Sequence, residues 1–572
     1  MRNKTLAARR AADSLARMIQ RILIAFALIV LPVPALAQGV VTSADPRASD
    51  AGLEILRKGG SATDAAMAMM LALTVVEPQS SGIGGGGFLL HHDAKTGLID
   101  TIDGRETAPA AATPTRFLGT DGKPLPFIQA WPGGYSVGVP GNVALMKAAH
   151  AKWGALPWAA LFDPAIKLAE GGFDVTPRLF NALTGLQKIW ADFPDAQKLY
   201  WRDGAPAPVG TRIRNPALAA VLKDIATRGP DAFYTGANAE AISATVGNAP
   251  KNPVPLTVAD LAAYRAKERA PVCGPYRSYT ICGMGPPSSG ATTVLQILGM
   301  VERFDMQALG KDNPRAWHVI AEAMQLAYAD RETYLADRDF VAVPVAGLID
   351  PAYLKARSRL ISADKTLGTY AAGTPPGAQP RTAALSSEVA GTTHFIAVDR
   401  SGDIATMTST VESGFGSQLI ANGYVLNNEL TDFTFAPEKD GAPVANRVEA
   451  GKRPLSSMAP TIVYDAVGKP VFTVGAAGGK TIIMQVAKAL IARLDWGLSA
   501  QDAIGLGLVY FNRDGIILEQ GTILEPMKGA MEALGHKVNV AKLGLKANAA
   551  ALEGGRWVGA ADPRSPGESR TE

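Results

Sequence analysis

The feature that most constrains this chain is a boundary deep inside it. Residues Ala371 to Gly391 carry Gly, Pro, Ala, Ser and Thr with little apolar content, which is linker composition. They run directly into Thr392-Thr393-His394-Phe395, the start of a strand-like run that reaches Asp399. A cut before Thr392 would make that threonine a new N-terminus. A hydroxyl beside a free α-amine is a nucleophile and its base on one residue. The α-amine titrates near neutral pH, so it can take the hydroxyl proton without a histidine. A Thr-Thr pair can equally do no more than open a strand, and the surrounding sequence must decide.

Before the boundary, residues 48–60 read as a helix ended by Gly59-Gly60, and Ala62 to Val76 as a second helix stopped by Glu77-Pro78. A glycine-rich turn, Gly82 to Gly87, leads into a hairpin of Phe88 to His92 and Leu98 to Asp103. Residues 150–360 read as mostly helical, with Trp317 to Leu335 the longest candidate. After the boundary, hairpins turn at Arg400-Ser401-Gly402-Asp403 and at Ala466-Val467-Gly468-Lys469. Gly478-Gly479 then opens a helix, Thr481 to Leu494. Strands cluster in two places with helices on either side. That pattern predicts an α+β fold in which sheet packs on sheet under a cover of helices.

The chain of 572 residues is 47% hydrophobic and 19% charged, ordinary globular composition that is long for one simple core. Its net charge of +4 comes from the first 37 residues, which hold Arg2, Lys4, Arg9, Arg10, Arg17 and Arg21 against Asp13. The rest carries 50 basic and 51 acidic side chains, a balance that gives no footprint for nucleic acid. Residues 1–37 read as a signal peptide: basic residues, an apolar run from Ile22 to Leu31, and Ala35-Leu36-Ala37 for cleavage. The run is short for a membrane span, and no later segment reads as one. The expected location is periplasmic or secreted, with Gln38 first in the mature chain. Cys273 and Cys282 can pair in an exported protein or stand as two small buried thiols.

Two motifs are decoys. Gly82-x-Gly84-x-x-Gly87 matches a dinucleotide fingerprint, but a helix precedes it and a strand follows, the reverse of what that site needs. Gly134-Tyr135-Ser136-Val137-Gly138 matches a nucleophile elbow, but Pro140-Gly141 bars the helix the elbow requires. The six histidines show no metal-ligand spacing. The polar groups with more to offer follow Thr392: Thr408 to Glu412, Asn427 to Phe433, Arg453 to Met458, and Gly475 to Gly479. The first hairpin returns Thr410 towards Thr392. The amides of Gly478 and Gly479, at a helix start, could stabilise an oxyanion, or the glycines could serve only a tight turn.

The chain resembles the γ-glutamyltranspeptidases, or glutathione hydrolases, of the N-terminal-nucleophile hydrolases, from about Val41 to Arg564. The resemblance is carried by Ala51 to Leu56, Ser80 to Phe88, Asp103-Gly104-Arg105-Glu106, Pro287-Ser288-Ser289-Gly290 and Thr392 to Phe395. It implies a precursor that cuts itself before Thr392 and a four-layer αββα sandwich. It also implies a heterodimer of residues 38–391 and 392–572, and no cofactor. Thr392 is then the nucleophile, and Thr410 orients it. Arg105, Ser456 and Ser457 hold the donor α-carboxylate; Glu412, Glu429 and Asp432 accept its α-ammonium; Gly478 and Gly479 form the oxyanion hole. The partners implied are glutathione and other γ-glutamyl compounds, with water or an amino acid or peptide as acceptor.

Three departures mark this chain. Positions 412 and 429 are acidic where many members have Asn and Gln. Ala476-Ala477 replaces a Ser-Pro pair before the double glycine. The segment Phe433 to Arg453 is intermediate in length between members with a full lid over the site and members without one. The rivals are a cephalosporin acylase that releases a glutaryl group, and a processed binding protein without activity. Glutaryl lacks the ammonium, and three carboxylates gathered around no cation would repel one another.

Overall fold

A computed structural model describes residues 38–383, 391–512 and 515–572. The segment read as a signal, and residues 384–390 of the linker, lie outside the described residues. The chain opens with β1 (Val40–Ser43), α1 (Pro46–Arg57) and α2 (Ala62–Val76). Helix α1 starts ahead of the expected 48–60 because the Asp45 side chain caps it and Pro46 suits its first turn. Helix α2 has the expected bounds, opened by a reciprocal Ser61–Asp64 capping box. The hairpin is β2 (Gly86–His92) and β3 (Ile99–Gly104). The mostly helical middle also supplies β4 (Lys267–Arg269), β5 (Val272–Tyr276) and β6 (Tyr279–Gly283). Helices α3 (Gly290–Val301) and α4 (Pro314–Tyr334) follow.

Past the linker come β7 (Thr392–Val398), β8 (Ile404–Thr410), β9 (Thr461–Tyr464), β10 (Pro470–Ala477) and α5 (Thr481–Leu494). The chain ends with β11 (Lys546–Glu553), β12 (Arg556–Ala561) and β13 (Glu568–Thr571). Pro275 to Thr280, strand-like in its residues, is the tip of the β5–β6 hairpin, turned at Arg277 with φ of 55°. That turn sets Cys273 opposite Cys282, and the two form a disulfide with Cα atoms 4.1 Å apart.

The fold mixes α and β structure. One antiparallel sheet of seven strands runs β13-β1-β7-β8-β2-β3-β4, and a second of six runs β12-β11-β10-β9-β6-β5. Each sheet takes strands from both sides of the linker. Strand β7 shows how they pack. Phe395 and Ala397 point into a core shared with α1 and α2. Ile396 and Val398 point into a second core shared with β9, β10, β11 and helices α3, α4 and α5. The period of two in a strand buried on both faces produces this division. Buried ion pairs join the segments before and after Gly391: Lys546 with Glu77, and Arg453 with Asp103. Burial pushes the Lys546 ammonium down to about 8, against the pull of Glu77.

Candidate active site

The β7–β8 register sets Thr392 directly across from Thr410. Strand alternation puts Thr392 on the face it shares with His394 and Ile396, towards the second sheet. Thr392 is buried, with Oγ1 3.2 Å from Thr410 Oγ1. The Thr410 hydroxyl donates to the Gly391 carbonyl at 3.0 Å and accepts from the Glu412 amide at 2.7 Å. A hydroxyl has one proton, so Thr410 accepts from Thr392 rather than donating to it. Gly391 permits this closeness: a Cβ there would stand 1.9 Å from the Glu412 carbonyl oxygen. At Gly85 an added Cβ would likewise stand 1.9 Å from the Thr410 carbonyl oxygen, so the glycine run is a seat for the end of β8. Glu412 itself holds φ of 77°, a left-handed conformation costly for a side chain of its size.

His394 lies two residues from Thr392 but turns to Thr408 and Thr406, at 2.8 and 3.1 Å. Burial pushes it down to about 3, so it is neutral at any ordinary pH. Its ring presses on Gly475, where a Cβ would stand 2.2 Å away. It is a spacer between β7 and β10, not a base for Thr392.

Arg105, just past β3, meets the acidic residues. Its guanidinium pairs with Glu429 and, at 2.5 Å, with Asp432 Oδ2. It also donates to the carbonyls of Pro454 at 3.2 Å and Leu455 at 2.8 Å. Glu412, Glu429 and Asp432 are all buried, with one carboxylate oxygen from each within 4.8 Å of the others. Glu429 to Asp432 is a single 3-10 turn, so two of the acids share one local element. Neighbouring Glu106 is fully buried, and neither carboxylate oxygen finds a hydrogen bond among the described residues. Burial, opposed by Arg105, pushes Glu106 up to about 8, and it carries a proton at neutral pH.

Ser456 and Ser457 follow the carbonyls that Arg105 grips. The Ser457 hydroxyl takes a bond from Arg331 at 2.9 Å, and Ser456 Oγ takes the Met458 amide at 3.2 Å. The Ser456 carbonyl accepts from both the amide and the hydroxyl of Ser289, at 2.7 Å each. Gly478 and Gly479 form the turn between β10 and α5, with φ of 136° and 58°. Positive φ at both positions explains the double glycine, and the turn sits at the amide-rich end of α5. The Gln485 side chain donates to the Ala477 carbonyl at 2.7 Å and steadies the approach to the turn. The segment Phe433 to Arg453 forms a small hairpin, Glu438–Lys439 with Ala442–Pro443. Asn446 ties its base to the site, donating to the Asp432 carbonyl at 2.7 Å and accepting from the Leu455 amide at 3.0 Å.

The fold thus gathers Arg105, Glu429, Asp432 and the 454–457 segment around one point, and Thr392, Thr410 and Glu412 beside it. Ser136 is elsewhere engaged, its hydroxyl given to the Trp131 carbonyl at 2.6 Å. A buried group that sequence spacing did not announce is His318, Glu322 and His536. His318 Nδ1 and His536 Nε2 are 2.7 Å apart, His318 Nε2 meets the Ser362 carbonyl at 2.8 Å, and Glu322 takes the hydroxyls of Thr366 and Tyr370. Each of the three thus has a hydrogen-bond partner within the cluster or beside it. Sequence reading gave no role to Arg331, Ser289 or Tyr328. The signals available were the Pro287-Ser288-Ser289-Gly290 motif for Ser289 and, for the helix, the run Asp330-Arg331-Glu332, charged among largely buried residues.

A family model described as Gamma-glutamyltranspeptidase matches residues 48–571. The chain belongs to that family. A glutathione hydrolase proenzyme of Bacillus subtilis (strain 168) is 37% identical over 508 residues, 87% of this chain and 85% of that protein. One of Escherichia coli (strain K12) is 37% identical over 543 residues, 92% and 90% of the two chains. Among solved structures, a cephalosporin acylase from Bacillus halodurans is similar at a TM-score of 0.82 and 26% identity, covering 95% of this chain and 98% of its own.

Proposed function

We propose that this protein is a γ-glutamyltranspeptidase and glutathione hydrolase that makes its own nucleophile. The observation that carries this is the grouping of Thr392, Thr410 and the Gly391 carbonyl. Thr392 Oγ attacks the Gly391 carbonyl carbon, which the Thr410 hydroxyl polarises. The Gly391–Thr392 C–N bond breaks and the freed nitrogen takes a proton. Water hydrolyses the ester, leaving a Gly391 carboxylate and a free Thr392 α-amine. The products, 38–391 and 392–572, stay together through two sheets that both segments build. Layers of helix, sheet, sheet and helix around β7 support the four-layer αββα assignment.

In the second reaction the α-amine of Thr392 takes its hydroxyl proton, and Oγ attacks the γ-glutamyl carbonyl. The oxyanion is received by the amides of Gly478 and Gly479 and the positive end of α5. The donor amide C–N bond breaks, its nitrogen takes the proton back from the Thr392 α-ammonium and leaves as the amine product, and a γ-glutamyl ester remains on Thr392. Water or an amino acid or peptide then releases it. Arg105 with Ser456 and Ser457 receives the donor α-carboxylate. Glu412, Glu429 and Asp432 receive its α-ammonium. A free α-amino acid carries both charges, so it can exchange into the ion pairs that Arg105 makes with Glu429 and Asp432. Three carboxylates against that one guanidinium leave negative charge for the ammonium to offset. A glutaryl donor offers no such cation, which disfavours the acylase alternative.

Among the described residues no helix is long and apolar enough to cross a membrane. Export behind a cleaved signal to the periplasm or medium accords with that and with the leader composition. The test is turnover of a γ-glutamyl anilide and a glutaryl anilide by the full-length protein and by Thr392→Ala. Preference for the γ-glutamyl donor, abolished in Thr392→Ala, is expected. Equal or better glutaryl turnover would reverse the substrate assignment.

A further inference from the structure

The two jaws of the proposed donor site, the oxyanion turn and the carboxylate clamp, are gripped by the same stretch of one helix. Tyr328, Arg331 and Glu332 lie three and four residues apart near the end of α4, and so share one side of it. The Tyr328 hydroxyl donates to the carbonyl of Lys480, the residue directly after Gly479. Glu332 Oε1 takes the Lys480 ammonium at 2.6 Å and Arg331 Nη1 at 3.0 Å. Arg331 Nη2 donates to the Ser457 hydroxyl at 2.9 Å, and its Nε donates to Ser289 Oγ at 2.8 Å. Ser289 in turn holds the Ser456 carbonyl. A continuous polar chain therefore runs from the oxyanion turn through Lys480, Glu332 and Arg331 to Ser457 and Ser456. It crosses from residues 392–572 to residues 38–391 and back.

We infer that Tyr328, Arg331 and Glu332 are positioning residues that set the spacing between the oxyanion turn and the carboxylate clamp, and so select the length of the donor acyl chain. This rests on the function proposed above. In a γ-glutamyl donor two methylenes separate the scissile carbonyl from the carbon bearing the carboxylate; in a β-aspartyl donor there is one. With the carboxylate held at the clamp, a shorter chain draws its carbonyl short of the turn and of Thr392. A rigid brace converts that difference of one bond into a difference in rate, because misplacement by about 1 Å can cost a hundredfold. Arginine suits the middle of such a brace, since its side chain is fully buried and its fork meets Glu332 and two hydroxyls at once.

The test uses the full-length protein with Tyr328→Phe, Glu332→Gln and Arg331→Lys, and the γ-glutamyl and β-aspartyl anilides. Self-cleavage, Tm, kcat and KM are measured for each. Wild type is expected to favour the γ-glutamyl donor strongly. In Tyr328→Phe and Glu332→Gln, kcat for that donor is expected to fall about tenfold at little changed KM, and the preference over β-aspartyl to narrow by about as much. A merely structural role would lower Tm or the cleaved fraction and reduce both donors alike. An unchanged preference in the two conservative variants would overturn the brace, whatever Arg331→Lys does. Failed self-cleavage in both at unaltered Tm would also count against it, since the brace acts on the donor. A wild type without γ-glutamyl turnover would instead overturn the function on which the brace rests.

Discussion

Replacing Arg105 by lysine keeps the charge and removes the fork. The guanidinium serves four groups at once: the Glu429 and Asp432 carboxylates and the carbonyls of Pro454 and Leu455. An ammonium on a flexible stem has no planar pair of donors and cannot meet two carboxylates and two carbonyls in those directions. Losing the bidentate grip on a donor carboxylate, or leaving one carboxylate under-paired, costs about 2–4 kcal/mol in total from the usual 1–3 kcal/mol per buried group. That corresponds to a loss of roughly 30-fold to nearly 1000-fold in kcat/KM. The assay is hydrolysis of γ-glutamyl and glutaryl anilides by protein shown on a denaturing gel to be cleaved. Both donors carry the terminal carboxylate, so both should fall together. A kcat/KM within threefold of wild type in fully cleaved protein would place the carboxylate elsewhere and refute the clamp.

Asp432→Asn keeps size and removes one acceptor of the ammonium. The γ-glutamyl donor should lose about 1.5–3 kcal/mol of binding while glutaryl is spared, shifting their ratio roughly tenfold or more towards glutaryl; kcat/KM for the two donors checks this, and equal losses would make Asp432 a support of the fold. Gly391→Ala should leave an uncut chain, because the added Cβ meets the Glu412 carbonyl at 1.9 Å and pushes the scissile carbonyl off Thr410; a denaturing gel reads the result, and normal cleavage would contradict it. Glu106 has its folded pKa raised by burial to about 8, so its contribution to stability is present in full below about pH 4.5 and is lost as pH rises through 8. Over that window it should remove up to about 1.4 kcal/mol per pH unit. Glu106→Gln should therefore flatten the fall of Tm between pH 5 and 8, and an unaltered slope would assign the fall to other groups.

Local geometry was the legible part of this chain. Helix α2 is legible because its run from Ala62 stops at Glu77-Pro78, and the Ser61–Asp64 capping box fixes the start the run suggests. The return of Thr410 towards Thr392 follows from the turn between the two strands, but the exact pairing does not: a turn centred between Ser401 and Gly402 would set Thr392 against Val411, whereas the register centres on Ser401. The fold class followed from where strands and helices cluster. Long-range contacts were harder to read. Arg331 reaches Ser457 across 126 positions, and Arg105 reaches Glu429 across 324. Such partners share no periodicity, and only the closing of two sheets brings them together. The β5–β6 turn is hidden for another reason: Pro275 to Thr280 has the residues of a strand, and Arg277 takes a left-handed conformation that sequence gives little cause to expect there.

The central claim is that Thr392 becomes an N-terminal nucleophile by its own attack on Gly391. Intact mass and N-terminal sequencing of the purified, active protein test it most directly. The expected result is two polypeptides, the smaller beginning at Thr392 and the larger ending at Gly391, with Thr392→Ala remaining a single inactive chain. A fully active enzyme consisting of one uncut chain would contradict it.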